Sequence, residues 1–71
     1  MEENQVKVWY DEESDILYLG FKKGVSHEVV EAGPDIMLEL DEDGKILGIE
    51  LWNAKKNGII ERILLAVKQP L

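Results

Sequence analysis

The sequence predicts an α+β domain in which an antiparallel meander of four to five β-strands packs on one C-terminal helix. Three observations lead to this prediction. Apolar and polar residues alternate through much of the first two thirds of the chain, which is the period of a strand. Clusters of turn-forming residues separate these runs, and after Asn53 the apolar spacing becomes helical. Strands followed by a helix, rather than alternating with helices, are typical of the α+β class.

The first two strands are predicted over residues 5–10 and 16–21. Valines alternate with larger side chains in the first strand, whereas the second is apolar on both faces. The second strand therefore suits a central position covered on both sides. The acidic segment 11–15 between them has turn composition. Residues 1–4 are polar and are predicted to be disordered.

The next three strands are predicted over residues 25–31, 36–40 and 45–52. The first of these mixes apolar with charged residues, which suits an edge strand because charges there discourage unwanted pairing. The other two alternate cleanly and flank Asp43-Gly44, a dipeptide that favours a tight hairpin. Together, residues 5–52 form the predicted meander of a single domain that comprises residues 1–71.

A helix is predicted over residues 57–68. Its apolar stripe repeats at the i, i+3, i+4, i+7 spacing of one helical face and consists of Ile60, Ile63, Leu64 and Val67. Asn53 and Asn57 are both possible N-cap residues, and Gly58 favours the later start. Pro70 is expected to end the helix. Further apolar residues off the stripe, among them Ile59, indicate a helix that is apolar over more than one face.

Composition limits the possible functions. The chain has 71 residues, no Cys and one His, so disulfides are impossible and a structural zinc site lacks its usual ligands. The net charge of −7 argues against binding to nucleic acid or to an anionic membrane, and it permits a basic protein partner. No secretory signal and no apolar run of about 20 residues is visible. A cytoplasmic location is expected.

The candidate polar site is a cluster near the first turn, formed by Tyr10, Asp11, Asp15 and Tyr18. Two carboxylates could act as acid and base if a cleft held them together. A structural role is favoured, in which Asp11 accepts hydrogen bonds from turn amides and Asp15 begins the second strand. No catalytic residue and no cofactor site is assigned, and the chain is not expected to be an enzyme.

Other polar motifs also have simple structural explanations. The acidic turn 41–44 lacks the full ligand pattern of a calcium loop, so a solvated hairpin turn is favoured and no metal site is assigned. His27 follows Ser26 directly, and neighbours in a strand point to opposite faces, so the two cannot form a nucleophilic pair there. Lys55, Lys56 and Arg62 could form a weak anion site near a helix start, although a solvated basic face is favoured.

The apolar residues exceed what one helix and one sheet face can cover. The candidate interface comprises Trp9, Trp52, Ile59, Ile60, Ile63, Leu64 and Val67, since aromatic residues dominate interface hot spots. A core this small rarely supplies more than about 3–5 kcal/mol, and a partner chain is one remedy. The sequence therefore predicts a protein-interaction domain whose partner is a second copy, as a homodimer, or a basic protein.

Several of these motifs occur together in a known family. Tyr10-Asp11, Asp15 and Leu17-Tyr18-Leu19, then residues 41–50 and Asn53-Ala54, resemble the small prokaryotic family known as domain of unknown function twenty-two eighty-three. The resemblance covers about residues 6–56. It implies no activity, but such domains often accompany small proteins that look like ribonuclease toxins, which implies an antitoxin-like role as the alternative. The apolar segment 59–67 departs from the family pattern and bears on assembly.

Overall fold

The computed structural model describes residues 6–68 and has five β-strands followed by one α-helix. The elements are β1 (Lys7–Asp11), β2 (Ile16–Gly20), β3 (Glu28–Gly33), β4 (Ile36–Leu40), β5 (Ile46–Trp52) and α1 (Ile59–Lys68). The predicted α+β class, with an antiparallel sheet and a C-terminal helix, is confirmed. The predictions for residues 1–4 and for Pro70 lie outside the described residues.

All five strands form one antiparallel sheet in the spatial order β1-β2-β5-β4-β3. Strands β3, β4 and β5 form a meander, and the β1–β2 hairpin joins it because β2 pairs with β5. The predicted edge position of the third strand is therefore confirmed. The second strand is internal as predicted, but the expected cover on both faces is not found within residues 6–68, where Ile16, Tyr18 and Leu19 are only half-buried.

The third strand begins later than the sequence predicts, at Glu28 instead of residue 25. The chain must cross the end of the sheet, past β5 and β4, to travel from β2 to the far edge. Residues 21–27 make this crossing, with Phe21 N–H bonded to the Leu47 carbonyl and His27 N–H bonded to the Leu40 carbonyl. Val25 and His27 are exposed on the way.

The acidic turn closes the β4–β5 hairpin, as predicted. Gly44 N–H donates to the Asp41 carbonyl at 2.9 Å, and Gly44 has a φ of 80°. The loop is longer than a two-residue turn, and it fits a type I turn followed by a left-handed glycine. The Asp41 carboxylate accepts the N–H groups of Asp43 and Lys45, both at 2.9 Å. Its oxygens thus stabilise the turn, which supports the hairpin interpretation over a calcium loop.

The two faces of the sheet differ in chemistry. The cross-strand pairs place Val8, Tyr10, Leu17, Leu19, Val30, Ile36, Leu38, Ile49 and Leu51 on one side, called here the apolar face. The same pairs place Lys7, Trp9, Asp11, Ile16, Tyr18, Gly20, Val29, Glu31, Met37, Glu39, Gly48, Glu50 and Trp52 on the other side, called here the mixed face.

The buried core is small and lies at the two ends of the sheet. Leu17, Leu47 and Ala54 are the buried apolar side chains of the described residues. Leu47 is covered by the crossing segment, because a side chain placed on Gly24 would collide with it. Ala54 lies at the opposite end, where its N–H donates to the Asp15 carbonyl. Few side chains are therefore withdrawn from water along the middle of the sheet.

The helix does not cover the sheet, contrary to the packing expected from the sequence. Within residues 6–68, Cα atoms of different elements come within 8 Å of each other only between neighbouring strands, and the helix approaches no strand that closely. The helix begins at Ile59, two residues later than predicted, with Arg62 N–H bonded to the Gly58 carbonyl. Among the described residues, no helix is long and apolar enough to span a membrane.

A turn that precedes the helix explains why α1 does not pack on its own sheet. Ile59 N–H donates to the Ala54 carbonyl and Gly58 N–H donates to the Lys55 carbonyl, while Gly58 has a φ of 77°. This pair of hydrogen bonds around a left-handed glycine is a Schellman motif, which ends a helical turn. Residues 54–57 thus form a separate turn, and α1 begins in a new direction after Gly58.

Candidate functional site

Tyr10 and Asp15 are brought together at one end of the sheet, and their role there is structural. The Asp15 carboxylate accepts the Tyr10 hydroxyl at 2.8 Å, Lys55 N–H at 2.7 Å and Lys56 N–H at 3.2 Å. It therefore accepts the first free N–H groups of the turn 54–57, as an N-cap side chain does, although it lies 40 residues away in the sequence. The position where an external anion would bind near Lys55 and Lys56 is occupied by the chain's own carboxylate.

The electrostatics of this pair are those of a stable hydrogen-bonded anchor. The Lys55 N–H bond, with smaller contributions from the Tyr10 hydroxyl and Lys56 N–H, holds the pKa of Asp15 below its usual value. The same hydroxyl–carboxylate bond raises the pKa of Tyr10 to about 12. An ionised carboxylate held by three donors is a weak base, so the pair is poorly suited to proton transfer near neutral pH.

A second aspartate fastens the same turn from the other side. The Asp35 carboxylate accepts the side-chain amide of Asn53 at 3.3 Å and that of Asn57 at 3.0 Å, and its carbonyl accepts Trp52 N–H. The predicted N-cap role of Asn57 is wrong, because its side chain bonds to Asp35 and Gly58 supplies the first helical acceptor. Two loops of the sheet thus hold the turn 53–58 in place.

These anchor residues share an unusual backbone conformation. Asp15, Asp35 and Asn53 have φ values of 59°, 64° and 55°. Asp and Asn tolerate this left-handed region better than other residues with a β-carbon. Asp35 follows Pro34, and proline before a residue of positive φ is typical of a type II turn. That dipeptide was the signal by which the sequence could have revealed the role of Asp35.

Asp11 and Tyr18, the other two members of the candidate polar site, lie elsewhere. Asp11 accepts the Ser14 hydroxyl at 2.7 Å and Glu13 N–H at 3.3 Å, which confirms that its carboxylate stabilises its own turn. Tyr18 lies on the mixed face, whereas Tyr10 lies on the apolar face. The four residues therefore do not form one site.

Tyr18 is held by a glutamate that the sequence did not single out. Its hydroxyl donates to Glu39 at 2.7 Å, and this bond raises the pKa of Tyr18 to about 12. The ring lies across two strands, since a side chain on Gly48 would collide with the Tyr18 hydroxyl and one on Gly20 would lie 3.1 Å from the ring carbon Cε2. Glycine in β5 is thus required by the close approach of Tyr18.

The two tryptophans lie on the mixed face and are exposed. Trp9 is in the edge strand β1, and the Trp52 indole N–H donates to Glu50 at 2.8 Å. Cross-strand pairing places Ile16 beside Trp52 and Tyr18 beside Trp9. The candidate interface is therefore split, because its aromatic part and its helical part are not brought together.

The helical part of the candidate interface is uncovered, and its exposure increases along the helix. Ile60 is half-buried, whereas Ile63, Leu64 and Val67 are 40%, 55% and 76% exposed. We call these four residues the helix stripe. A stripe of apolar side chains on one face of a helix ordinarily packs against another element. Here it faces water, and so does much of the apolar face of the sheet.

The apolar face lacks a second layer within the described part of the chain. Val8 is 67% exposed, and Ile36, on the other side of β5, is also exposed. Five further residues of this face are only half-buried, namely Leu19, Val30, Leu38, Ile49 and Leu51. A sheet face of this composition is stable when a helix or another sheet covers it. Within residues 6–68, the helix stripe and the apolar face are thus two surfaces that both lack cover.

Metal binding has no support in this part of the structure. No group of three or more potential ligands is found among residues 6–68. Asp41, the best placed carboxylate of the acidic turn, is occupied by turn amides and by the Lys22 ammonium at 3.0 Å.

Comparison with known proteins gives a family without an assigned activity. The model of a family described as "Protein of unknown function (DUF2283)" matches residues 7–55. The chain is 40% identical over 52 residues to the uncharacterized protein MJ0789 of Methanocaldococcus jannaschii. That match covers 73% of this chain but 44% of the relative, so the chain spans less than half of that protein. No solved structure matches.

The matched residues contain the features described above. They include all five strands, the Tyr10–Asp15 anchor and the start of the turn that it fastens, and they end before α1. The resemblance noted from the sequence is confirmed: the chain belongs to the DUF2283 family of proteins of unknown function.

Proposed function

We propose that this chain is a protein-interaction domain that self-associates through its apolar face and its helix stripe. One observation carries the proposal: two apolar surfaces in the same small chain both lie open to water. Exposed apolar patches on soluble domains mark interaction sites more often than scattered single residues do.

The energetic gain is of the size that a dimer needs. Fully burying a Val, Leu or Ile side chain is worth about 1.5–3 kcal/mol. Covering the exposed fractions of Ile63, Leu64, Val67 and Val8 in both copies would therefore yield roughly 7–14 kcal/mol in total. Association costs an estimated 4–15 kcal/mol. These four positions alone give a marginal dimer, so the half-buried centre of the apolar face must contribute as well.

The proposed self-association is tested with a pair of matched variants. Val8 and Val29 lie in the two edge strands and are 67% and 58% exposed, but they are on opposite faces. Val8→Lys places a charge on the apolar face, whereas Val29→Lys places the same charge on the mixed face. Light scattering coupled to size exclusion should show a dimer for the wild type and Val29→Lys and a monomer for Val8→Lys. A monomeric wild type at high micromolar concentration contradicts the proposal.

A basic protein partner is the second candidate, and the mixed face supports it. Glu31, Glu39 and Glu50 lie there together with the exposed Trp9. Acidic groups around aromatic side chains suit a cationic protein surface, and complementary charge accelerates association. This supports the antitoxin-like alternative, in which the acidic domain covers a basic toxin. Co-expression with the products of adjacent genes tests it, since rescue of growth by the wild type but not by Trp9→Glu is expected.

A further inference from the structure

We infer that the self-associated form is reciprocal, with α1 of each copy docked on the apolar face of the other. This inference rests on the proposed self-association and names the two surfaces that meet. It follows from three features of the described residues: the direction of the helix, the net charges of the two segments that carry the surfaces, and the dimensions of the helix and the sheet.

The direction of the helix is fixed before it begins. Asp15 and Asp35 hold the turn 53–58 with four side-chain hydrogen bonds, and the Schellman motif closes that turn at Gly58. The increasing exposure from Ile60 to Val67 shows that the helix diverges from its own sheet. A helix that is anchored in this way and points outward can cover a sheet only in another chain.

The segments that carry the two surfaces have opposite net charge. Residues 53–68 carry four basic side chains and one acidic one, whereas residues 6–52 carry four basic and twelve acidic ones. Two copies of a chain with net charge −7 repel each other as wholes. None of the side chains that define the apolar face is charged, and the carboxylates of Asp11, Glu31, Glu39 and Glu50 lie on the mixed face. Docking of α1 therefore brings a basic segment near an acidic one without burying charge, which reduces that repulsion.

The dimensions agree as well. A helix of ten residues is about 15 Å long, and five strands about 4.8 Å apart give a sheet about 19 Å wide. The helix can therefore lie across most of the apolar face, with its stripe over the middle strands. Each copy donates one helix and receives one, so the contact is closed by a two-fold axis and adds no further copies.

Cysteine cross-linking tests this arrangement cleanly because the chain contains no Cys. One preparation carries Leu64→Cys on the helix stripe, and a second carries Ile49→Cys on the apolar face. The two are mixed and treated with a short bismaleimide. Leu65→Cys is the matched control, since Leu65 is 57% exposed against 55% for Leu64 but lies off the stripe. We expect severalfold more heterodimer with Leu64→Cys than with Leu65→Cys.

The outcomes separate this inference from the proposed function. A chain with both Leu64→Cys and Ile49→Cys should cross-link between molecules; a product of monomer mass would show that the helix folds back on its own sheet. A dimer by light scattering with equal heterodimer yields for the two helix positions would overturn helix exchange and leave self-association standing. A monomer by light scattering would remove both.

Discussion

Replacing Gly48 with alanine should destabilise the fold through a collision that the structure locates. A β-carbon at position 48 would overlap the Tyr18 hydroxyl and would lie 2.8 Å from the Leu19 carbonyl oxygen, which belongs to the adjacent strand. Tyr18 would have to move and would lose its 2.7 Å hydrogen bond to Glu39. Overpacking of this kind costs about 1–3 kcal/mol, and the lost hydrogen bond costs about 1 kcal/mol more.

Alanine also gains something, because glycine in a strand interior is about 0.5–1 kcal/mol less favourable. The net expectation is a loss of about 2 kcal/mol of unfolding free energy, or roughly 8–16 °C in Tm for a domain of this size. Urea and thermal denaturation followed by circular dichroism measure both quantities, at a fixed protein concentration because association stabilises the folded state.

The matched control is Gly33→Ala, where a β-carbon meets only a side-chain atom of Ile36 at 3.9 Å. It should leave the unfolding free energy unchanged or raise it by up to about 1 kcal/mol, the gain expected for alanine in a strand. Adding Tyr18→Val to Gly48→Ala should recover part of the lost unfolding free energy, because the collision with the tyrosine ring is removed. The recovery is only partial because the close approach to the Leu19 carbonyl oxygen remains. Equal stabilities of Gly48→Ala and the wild type would refute the reasoning.

Three further predictions concern the buried Leu17, the hydrogen-bonded carboxylates of Asp15 and Asp41, and the two tyrosines. Leu17→Ala should lower the free energy of unfolding by about 2–5 kcal/mol, because Leu17 is 3% exposed. Circular dichroism should then show little helical or sheet signal, whereas the control Val8→Ala should remain folded at low concentration. Asp15 and Asp41 have lowered pKa values in the folded chain. Their ionised carboxylates therefore stabilise the fold above the unfolded pKa of about 3.9, and this contribution is lost as the pH falls from there through the lower folded pKa. Asp15→Asn should reduce the dependence of the denaturation midpoint on acid pH. Tyr10 and Tyr18 have pKa values raised to about 12, so their contribution to stability is complete below pH 10 and is lost between about pH 10 and 12. Ultraviolet absorbance should show both phenols ionising near pH 12. An ionisation midpoint near pH 10 would contradict the two hydrogen bonds.

Local patterns predicted the elements well, and their arrangement much less so. The bounds of β4 and the type of all six elements follow from apolar periodicity and turn residues. The pairing of β2 with β5 does not, because it joins segments about 30 residues apart and nothing in either strand specifies its neighbour. The late start of β3 is a consequence of that order, since the chain must cross the sheet end first.

The candidate polar site illustrates the same limit. The motif of Tyr10 and Asp15 was visible in the sequence, but the groups that Asp15 binds lie 40 and 41 residues later. Its role as the anchor of the turn 53–58 could therefore be seen only in three dimensions. The expected packing of helix on sheet was wrong because it assumed that both apolar surfaces find cover within one chain.

Sedimentation equilibrium of the wild-type chain over a range of concentrations tests the central claim most directly. If the helix stripe and the apolar face are an interface, the molar mass rises with concentration towards twice the chain mass of 8.1 kDa. A mass that stays at 8.1 kDa up to high micromolar concentration would show that these surfaces remain in water without a second copy, and the self-association proposed here would be wrong.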